Sequence, residues 1–309
     1  MTERPHAAPV TGTGAANQPR PRRRLGREAL APYLFIAPAV LLVGGFLLWP
    51  FGRTLSLSFT DSSGASGGSF VGLDNYTQLF NDPILTESLT NTLLWVIGTL
   101  LFPVGLGLLI ASLSLDVKGA AIFRLPFLIP YALSGTAIGV MWEFMLRGNG
   151  AINRTLEELG LENLTRSWLL QPPLNTWSMI LASTWQSVGV CVLLFLIGLQ
   201  VIPRDPIEAA RIDGAEGWTL FRDMTFPLLR PMTIVVVGIS LVNSLKTFDV
   251  IWIMTQGGPY RSSETLAVTM YRETFLLFRH GYGSAIAVFL SVIVFTVSWI
   301  YLSRTLRSL

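Results

Sequence analysis

Apolar residues along this chain gather into long, nearly unbroken stretches at about 33 to 51, 92 to 115, 122 to 146, 176 to 200, 228 to 253 and 284 to 303. Each is near the roughly 20 residues that a helix needs to cross the hydrocarbon core of a bilayer. The pattern predicts an all-α integral membrane protein with six transmembrane helices. Pro103, Pro126 and Pro130 fall in or beside these stretches, which membrane helices tolerate when neighbours satisfy the freed backbone groups. Residues 1 to 28 show no apolar periodicity and are rich in Pro, Ala, Gly and Arg; they read as a disordered basic tail. Residues 29 to 309 then form the transmembrane domain. A secretory signal is the rival reading of the first stretch, but the run is long for such a segment and lacks a clear A-x-A cleavage site.

Composition supports a lipid environment. Charged residues make up 13% of the chain, hydrophobic residues 51%, and mean hydropathy is +0.53, whereas a soluble domain carries about 25% charged residues. Cys191 is the single cysteine, and His6 and His280 are the only histidines, so the sequence predicts no disulfide, zinc or haem site. No nucleophile, base and orienter come together either, so no catalytic residue is expected. The net charge of +3 is spread between apolar stretches rather than gathered into a nucleic-acid patch. Neither Lys118 nor Lys246 follows a glycine, so the chain lacks a phosphate-binding GK[ST] loop. Any ATP and Mg would be bound by another subunit.

Basic residues also report orientation. With the tail inside, fourteen of the 22 Lys and Arg lie on the cytoplasmic side, six of them in the tail. The positive-inside rule then places both termini in the cytoplasm. On the outer side, Asp61 to Gly68 reads as a Ser/Gly loop and Asn153 to Leu164 as a short amphipathic helix. These are candidate docking surfaces for an external partner, or simply connectors.

The cytoplasmic loop at about 201 to 227 carries most information. From Pro203 to Ala215 it reads as a helix ended by a glycine turn, with a second helix beyond. Pro206 suits a first helical turn, and Asp205 before it is positioned to cap the free amides. Gly214 supplies a positive φ for the stop. Ala209 and Ala210 make a small face, while Glu208 and Asp213 offer carboxylates, a combination suited to lying in a partner's groove.

This loop resembles the signature of integral membrane permeases of binding-protein-dependent ABC importers: Glu208-Ala209-Ala210, three residues, Gly214, then Met224-Thr225-Phe226-Pro227. Met224 and Phe226 stand where that downstream element usually has isoleucine and leucine, without loss of apolar character. Asp213-Gly214-Ala215, Gly72-Leu73-Asp74-Asn75-Tyr76, Leu125-Pro126-Phe127-Leu128-Ile129-Pro130 and Thr255-Gln256-Gly257-Gly258-Pro259 are similar to the carbohydrate, maltose-type branch. The resemblance covers about residues 33 to 304. It implies a MetI-like fold in a bacterial plasma membrane, a second homologous permease, two ATPase subunits and an extracytoplasmic solute-binding protein that delivers a carbohydrate. It also implies that the loop, including Ala215, is a coupling helix seated on the ATPase.

Polar side chains within spans are costly against lipid and mark the path of a substrate. Ser240, Asn243, Ser244 and Thr247 follow one another at i, i+3, i+4 and i+7, and Ser183 and Ser187 at i, i+4 with Trp185 and Gln186 close by. The resemblance places these positions at the pocket of maltose-type permeases; the alternative is hydrogen bonding between packed helices. Lys246 and Asp249 read as a local ion pair, as do Glu143 and Arg147 at i, i+4. A self-sufficient, ion-coupled secondary transporter is the competing class, but the sequence offers few buried acids and no internal repeat.

Overall fold

A computed structural model describes residues 31 to 64, 67 to 115 and 117 to 306. The basic tail lies outside the described residues. The chain divides into two units, Met1–Gly52 and Arg53–Leu309. The described part of the first is helix α1, Ala31–Val43, followed by a π turn over Gly44–Leu48 and the start of α2, Trp49–Leu57.

The second unit is also helical, with an isolated bridge between Thr60 and Phe70. Helix α3, Asp74–Asn81, leads into α4, Pro83–Thr99. The carboxylate of Asp82 accepts from Ile84 N at 2.9 Å, with Pro83 opening the first turn, so capping and proline stiffness start this span together. Pro103 lies in the π turn Leu100–Val104 that joins α4 to α5, Gly105–Leu113. Lacking an N–H, it fits where the regular ladder is already relaxed.

Helices α6, Ala120–Leu128, and α7, Gly135–Leu146, follow, then α8, Ala151–Glu158. Next come α9, Leu174–Val201, the loop helices α10, Arg204–Ile212, α11, Gly217–Leu220, and α12, Phe226–Leu228, and then α13, Arg230–Leu245. The chain ends through α14, Asp249–Met254, α15, Leu266–Tyr271, and α16, His280–Leu306. Half of the apolar window of α9 is buried. Its Val188, Val192 and Phe195 pack with Val104, Ala111 and Val236, while Met179, Ile180 and Ala182 pack with Trp95, Val250 and Ile251. Helix α9 is therefore the post around which α4, α5, α6, α7, α13 and α14 assemble.

Among the described residues four helices are long and apolar enough to cross a membrane, or up to six if each of two bent pairs is one span. The bends correct the sequence reading. The expected span 122 to 146 is broken between α6 and α7, and the segments Ala120–Ala132 and Gly135–Glu158 meet at 104°. Pro130 opens a 3-10 turn there, and Ser134 restarts the helix by accepting from Ala137 N at 3.2 Å. The second bent pair is Gly217–Leu228 with Arg230–Leu245, which meet at 73°; the expected span 228 to 253 is also interrupted further along, because α13 stops at Leu245 and α14 begins only at Asp249. The outer amphipathic helix is shorter than expected, ending at Glu158, with a separate 3-10 turn at Glu162–Leu164.

Candidate coupling and translocation sites

Helix α10 presents the loop signature as a capped, exposed element. Its N-cap is Pro203, and Asp205 sits in the first turn without a side-chain capping bond. The expected cap by Asp205 is thus not made; the carboxylate contributes through its charge near the helix N-terminus instead. At the other end the glycine stop forms fully. Gly214 has φ 87, Ala215 N donates to Ala210 O at 2.9 Å, and Gly214 N donates to Arg211 O at 3.1 Å. That is the six-to-one and five-to-two pattern of a Schellman cap.

Ala210 is buried, whereas Glu208, Ala209, Arg211 and Asp213 are exposed. Glu208 makes no hydrogen bond or ion pair among the described residues. Ile212 is 86% exposed and Trp218 69% exposed, so the loop offers a carboxylate flanked by apolar side chains. Trp218 stacks on Phe221 at 5.5 Å and Phe221 lies 6.1 Å from Phe226, which stiffens the far side of the turn. Arg222 and Asp223 pair at 2.6 Å on this surface; hydrogen bonding to Arg222 holds the carboxyl below its usual range.

The polar stripe of α13 divides. Ser240 and Ser244 are buried, Ser240 Oγ lying 3.9 Å from Cys191 Sγ of α9 and Ser244 Oγ donating to Leu241 O at 2.8 Å. Asn243 is exposed, and half-buried Thr247 donates to Asn243 O at 3.1 Å. Ser240, Asn243 and Ser244 spread over about 100° of the helix, so one edge turns inward to α9 while the other stays open, and Thr247 lies past the helix end at Leu245 rather than on the stripe. Ser183 and Ser187 of α9 are half-buried. Trp185 does not join them: two residues turn a helix by about 200°, and Trp185 meets Trp142 of α7 edge-on at 6.1 Å. Gln186 donates to Leu133 O at 2.6 Å, across the break between α6 and α7.

The expected Lys246–Asp249 ion pair is absent among the described residues, and both side chains are exposed. Helix α13 ends at Leu245, and Phe248 at φ −136, ψ −57 leaves the helical path, so spacing of three no longer brings the two together. The Glu143–Arg147 pair does form, at 2.6 Å.

Sequence reasoning missed an ion network beyond α14. Glu264 and Glu273 are completely buried. Arg272 Nε lies 2.5 Å and Arg261 Nη2 2.8 Å from Glu264, Arg261 reaches Glu273 at 3.3 Å, and Arg279 also pairs with Glu273. Burial works against the charge on Arg261, but bonding and attraction to the two glutamates outweigh it and raise its pKa. Arg272 also donates to Gln256 O at 2.5 Å. Within this turn Gly257 has φ 82, and a Cβ there would stand 2.3 Å from Glu264 Cγ, so the glycine is required twice over. Buried acids thus exist, but as partners of arginine rather than as free proton carriers.

Beside this network runs a chain of rings. Phe248 stacks on Trp252 at 5.8 Å and 10°, Tyr271 lies 4.9 Å from Phe248 and 4.8 Å from Trp252, and Phe275 lies 5.2 Å from Tyr271. The only sequence signal was the density of aromatics in 248 to 275. Among the described residues no three His, Cys, Asp or Glu side chains form a metal-binding group.

Residues 30–303 match the family of binding-protein-dependent transport system inner membrane components. The chain is 35% identical to the sulfoquinovosyl glycerol transport system permease protein SmoG of Agrobacterium fabrum, covering 92% of both chains. It is 34% identical to the sn-glycerol-3-phosphate transport system permease protein UgpA of the same organism, over 87% of this chain and 92% of that one. A bacterial ABC transporter involved in import of the acidic polysaccharide alginate has the same fold, with a TM-score of 0.80 at 21% identity over 91% of this chain and 96% of that one. The chain belongs to the family of inner membrane components of binding-protein-dependent transport systems. It is a multi-pass ABC transporter permease.

Proposed function

We propose that this chain is one permease subunit of an ATP-driven importer that moves a carbohydrate or carbohydrate derivative across the bacterial plasma membrane. In this reading each bent helix pair is one span, giving six, with both termini cytoplasmic. A second, homologous permease lines the other side of the path, two ATPase subunits hydrolyse ATP, and an extracytoplasmic binding protein delivers the cargo. The relatives named for sulfoquinovosyl glycerol and glycerol 3-phosphate transport support the cargo class. Support for the delivery step comes from a structure of the alginate transporter in complex with a pentasaccharide-bound periplasmic protein, a fold match with a TM-score of 0.78. Family membership removes the ion-coupled secondary transporter as a competitor.

The observation that carries the coupling half is α10, an exposed helix with a fixed glycine stop and an unpaired Glu208. Closure of the ATPase dimer would move α10 as a rigid body, and ATP would act by binding the two arrangements with different free energies. Ala209, Ala210, Asp213 and Ala215 shape the seat around Glu208 and Gly214. Cargo selection falls to Asn243 and Thr247, with Ser183 and Ser187 on α9. Ser240, Ser244 and Trp185 support that surface from behind.

Reversing the charge at a desolvated contact costs about 2 to 5 kcal/mol, so Glu208→Lys should strip the ATPase from the permease. Co-purification of the ATPase with the variant, together with uptake in the same membranes, is the test. Full recovery with normal uptake would remove α10 from the coupling role.

A further inference from the structure

We propose that Gly198 of α9 and Leu229, the elbow before α13, are positioning residues that form the pivot of the coupling loop, so that movement of α10 reaches both spans through their contact. This rests on the coupling role of α10 given above and adds the joint that passes its motion on. The chain enters the loop from α9 through Ile202 and Pro203, and α10 begins directly at Arg204. It leaves through the π turn Phe221–Thr225, against which α10 packs, and returns to the bundle at Leu229. Gly217–Leu228 and Arg230–Leu245 meet there at 73°.

The exit leg is stiff. Leu229 N donates to Thr225 O at 2.9 Å, and Leu229 O accepts from Thr233 N at 3.0 Å and from the Thr233 hydroxyl at 3.2 Å, so hydrogen bonds run across the bend. Pro227 and Pro231 stand two residues to either side and fix φ in both arms. A bent but bonded segment moves as one piece, which shifts relative motion to its joint with α9. That joint is closely fitted. Leu229 is 1% exposed, and a Cβ added to Gly198 would stand 2.6 Å from Met232 Cβ and 2.8 Å from Leu229 Cδ1. Beside it opens an apolar cleft of about 190 Å³, lined by Val201, Ile202 and Pro203 of the entry leg and by Leu228, Pro231 and Met232 of the exit leg. Tight contact on one side and free volume on the other let the two legs close on each other about Gly198, a small sliding of packed helices.

The test measures the spacing of the two legs in the purified, complete complex. Spin labels are placed on Val201→Cys and Leu228→Cys, in a Cys191→Ala background that leaves no other thiol on this chain and with cysteine-free partner subunits. Mg-ATP with vanadate, which traps the ATPase dimer closed, should bring the labels nearer by about 2 Å, the size of helix shifts at packed interfaces. Ile202→Phe fills the cleft and should abolish this approach while ATPase recovery and melting temperature are kept. Ile202→Leu, which conserves volume, should preserve it. Gly198→Ala wedges the joint and should abolish it as Ile202→Phe does. Unchanged spacing in the labelled parent, or equal approach in Ile202→Phe and Ile202→Leu, overturns the pivot and leaves the coupling role of α10 standing. Full ATPase recovery with normal uptake in Glu208→Lys removes that role, and the pivot with it.

Discussion

Arg272 Nε lies 2.5 Å from Glu264 Oε1, and the carboxylate it binds is completely buried although the arginine side chain keeps 24% of its exposure. A charge withdrawn so far from water is held only by its partners, and removing one member of such a pair costs about 3 to 5 kcal/mol. Arg261 on the same carboxylate makes it the shared centre of two bridges.

Glu264→Gln should therefore lower the melting temperature of the purified complex markedly. Glu143→Gln, which breaks a pair whose side chains are 27% and 47% exposed, should change stability by at most about 1 kcal/mol. Thermal unfolding of both variants in the same detergent decides the matter. Equal shifts would mean that burial adds nothing to the inner bridges.

Gly214 makes a different demand. A Cβ added there meets no atom within 4 Å, so space is free, but φ is 87. An L side chain in the left-handed region costs about 1 to 2 kcal/mol, whereas asparagine visits it more readily. Gly214→Val should weaken recovery of the ATPase with the permease, and Gly214→Asn should retain most of it. Equal recovery of the ATPase with both variants would show that the conformation of this turn does not govern docking.

On α13 the split between exposed Asn243 and Ser244, which is 1% exposed, predicts opposite failures for neighbouring residues. Under the proposed role of Asn243, its change to Leu removes donors and an acceptor and leaves a cargo hydroxyl unpaired, at about 1 to 3 kcal/mol. Uptake should fall with the complex intact. Ser244→Leu overfills a packed helix contact at about 1 to 3 kcal/mol, so the complex itself should be recovered poorly. Uptake and recovery measured on the same membranes separate the two, and normal uptake by Asn243→Leu would exclude that residue from the path.

The contrast between these residues shows where sequence reasoning reaches its end. Length and apolarity locate the membrane helices, because both are properties of a single segment. Local spacing was also sufficient for α10, since Pro206, Gly214 and the three residues between Ala210 and Gly214 act within two turns. The breaks at Ile129 to Ser134 and at Lys246 to Phe248 were hidden, because hydropathy is blind to the direction a helix takes; Pro126 and Pro130 hinted at the first only. Which edge of the α13 stripe turns inward depends on α9, through Cys191, and no spacing within α13 carries that. The Glu264 network was least legible, for its arginines approach from both sides of a turn whose reversal is set by Gly257.

The separation of Lys246 from Asp249 leads to the last prediction. Lys246 follows the end of α13 and is exposed, whereas Asp249 starts α14. A Cβ added to Gly135 of α7 would lie 3.4 Å from Asp249 Cβ, so the aspartate stands against another helix. Its charge there is favourable at a helix N-terminus, without help from the lysine. Lys246→Met and Asp249→Asn should each have its own effect on complex stability, and in the double variant the two effects should add to within about 0.5 kcal/mol. A double-mutant cycle followed by thermal unfolding measures this directly. Coupling above about 1 kcal/mol would mean that the two charges meet after all.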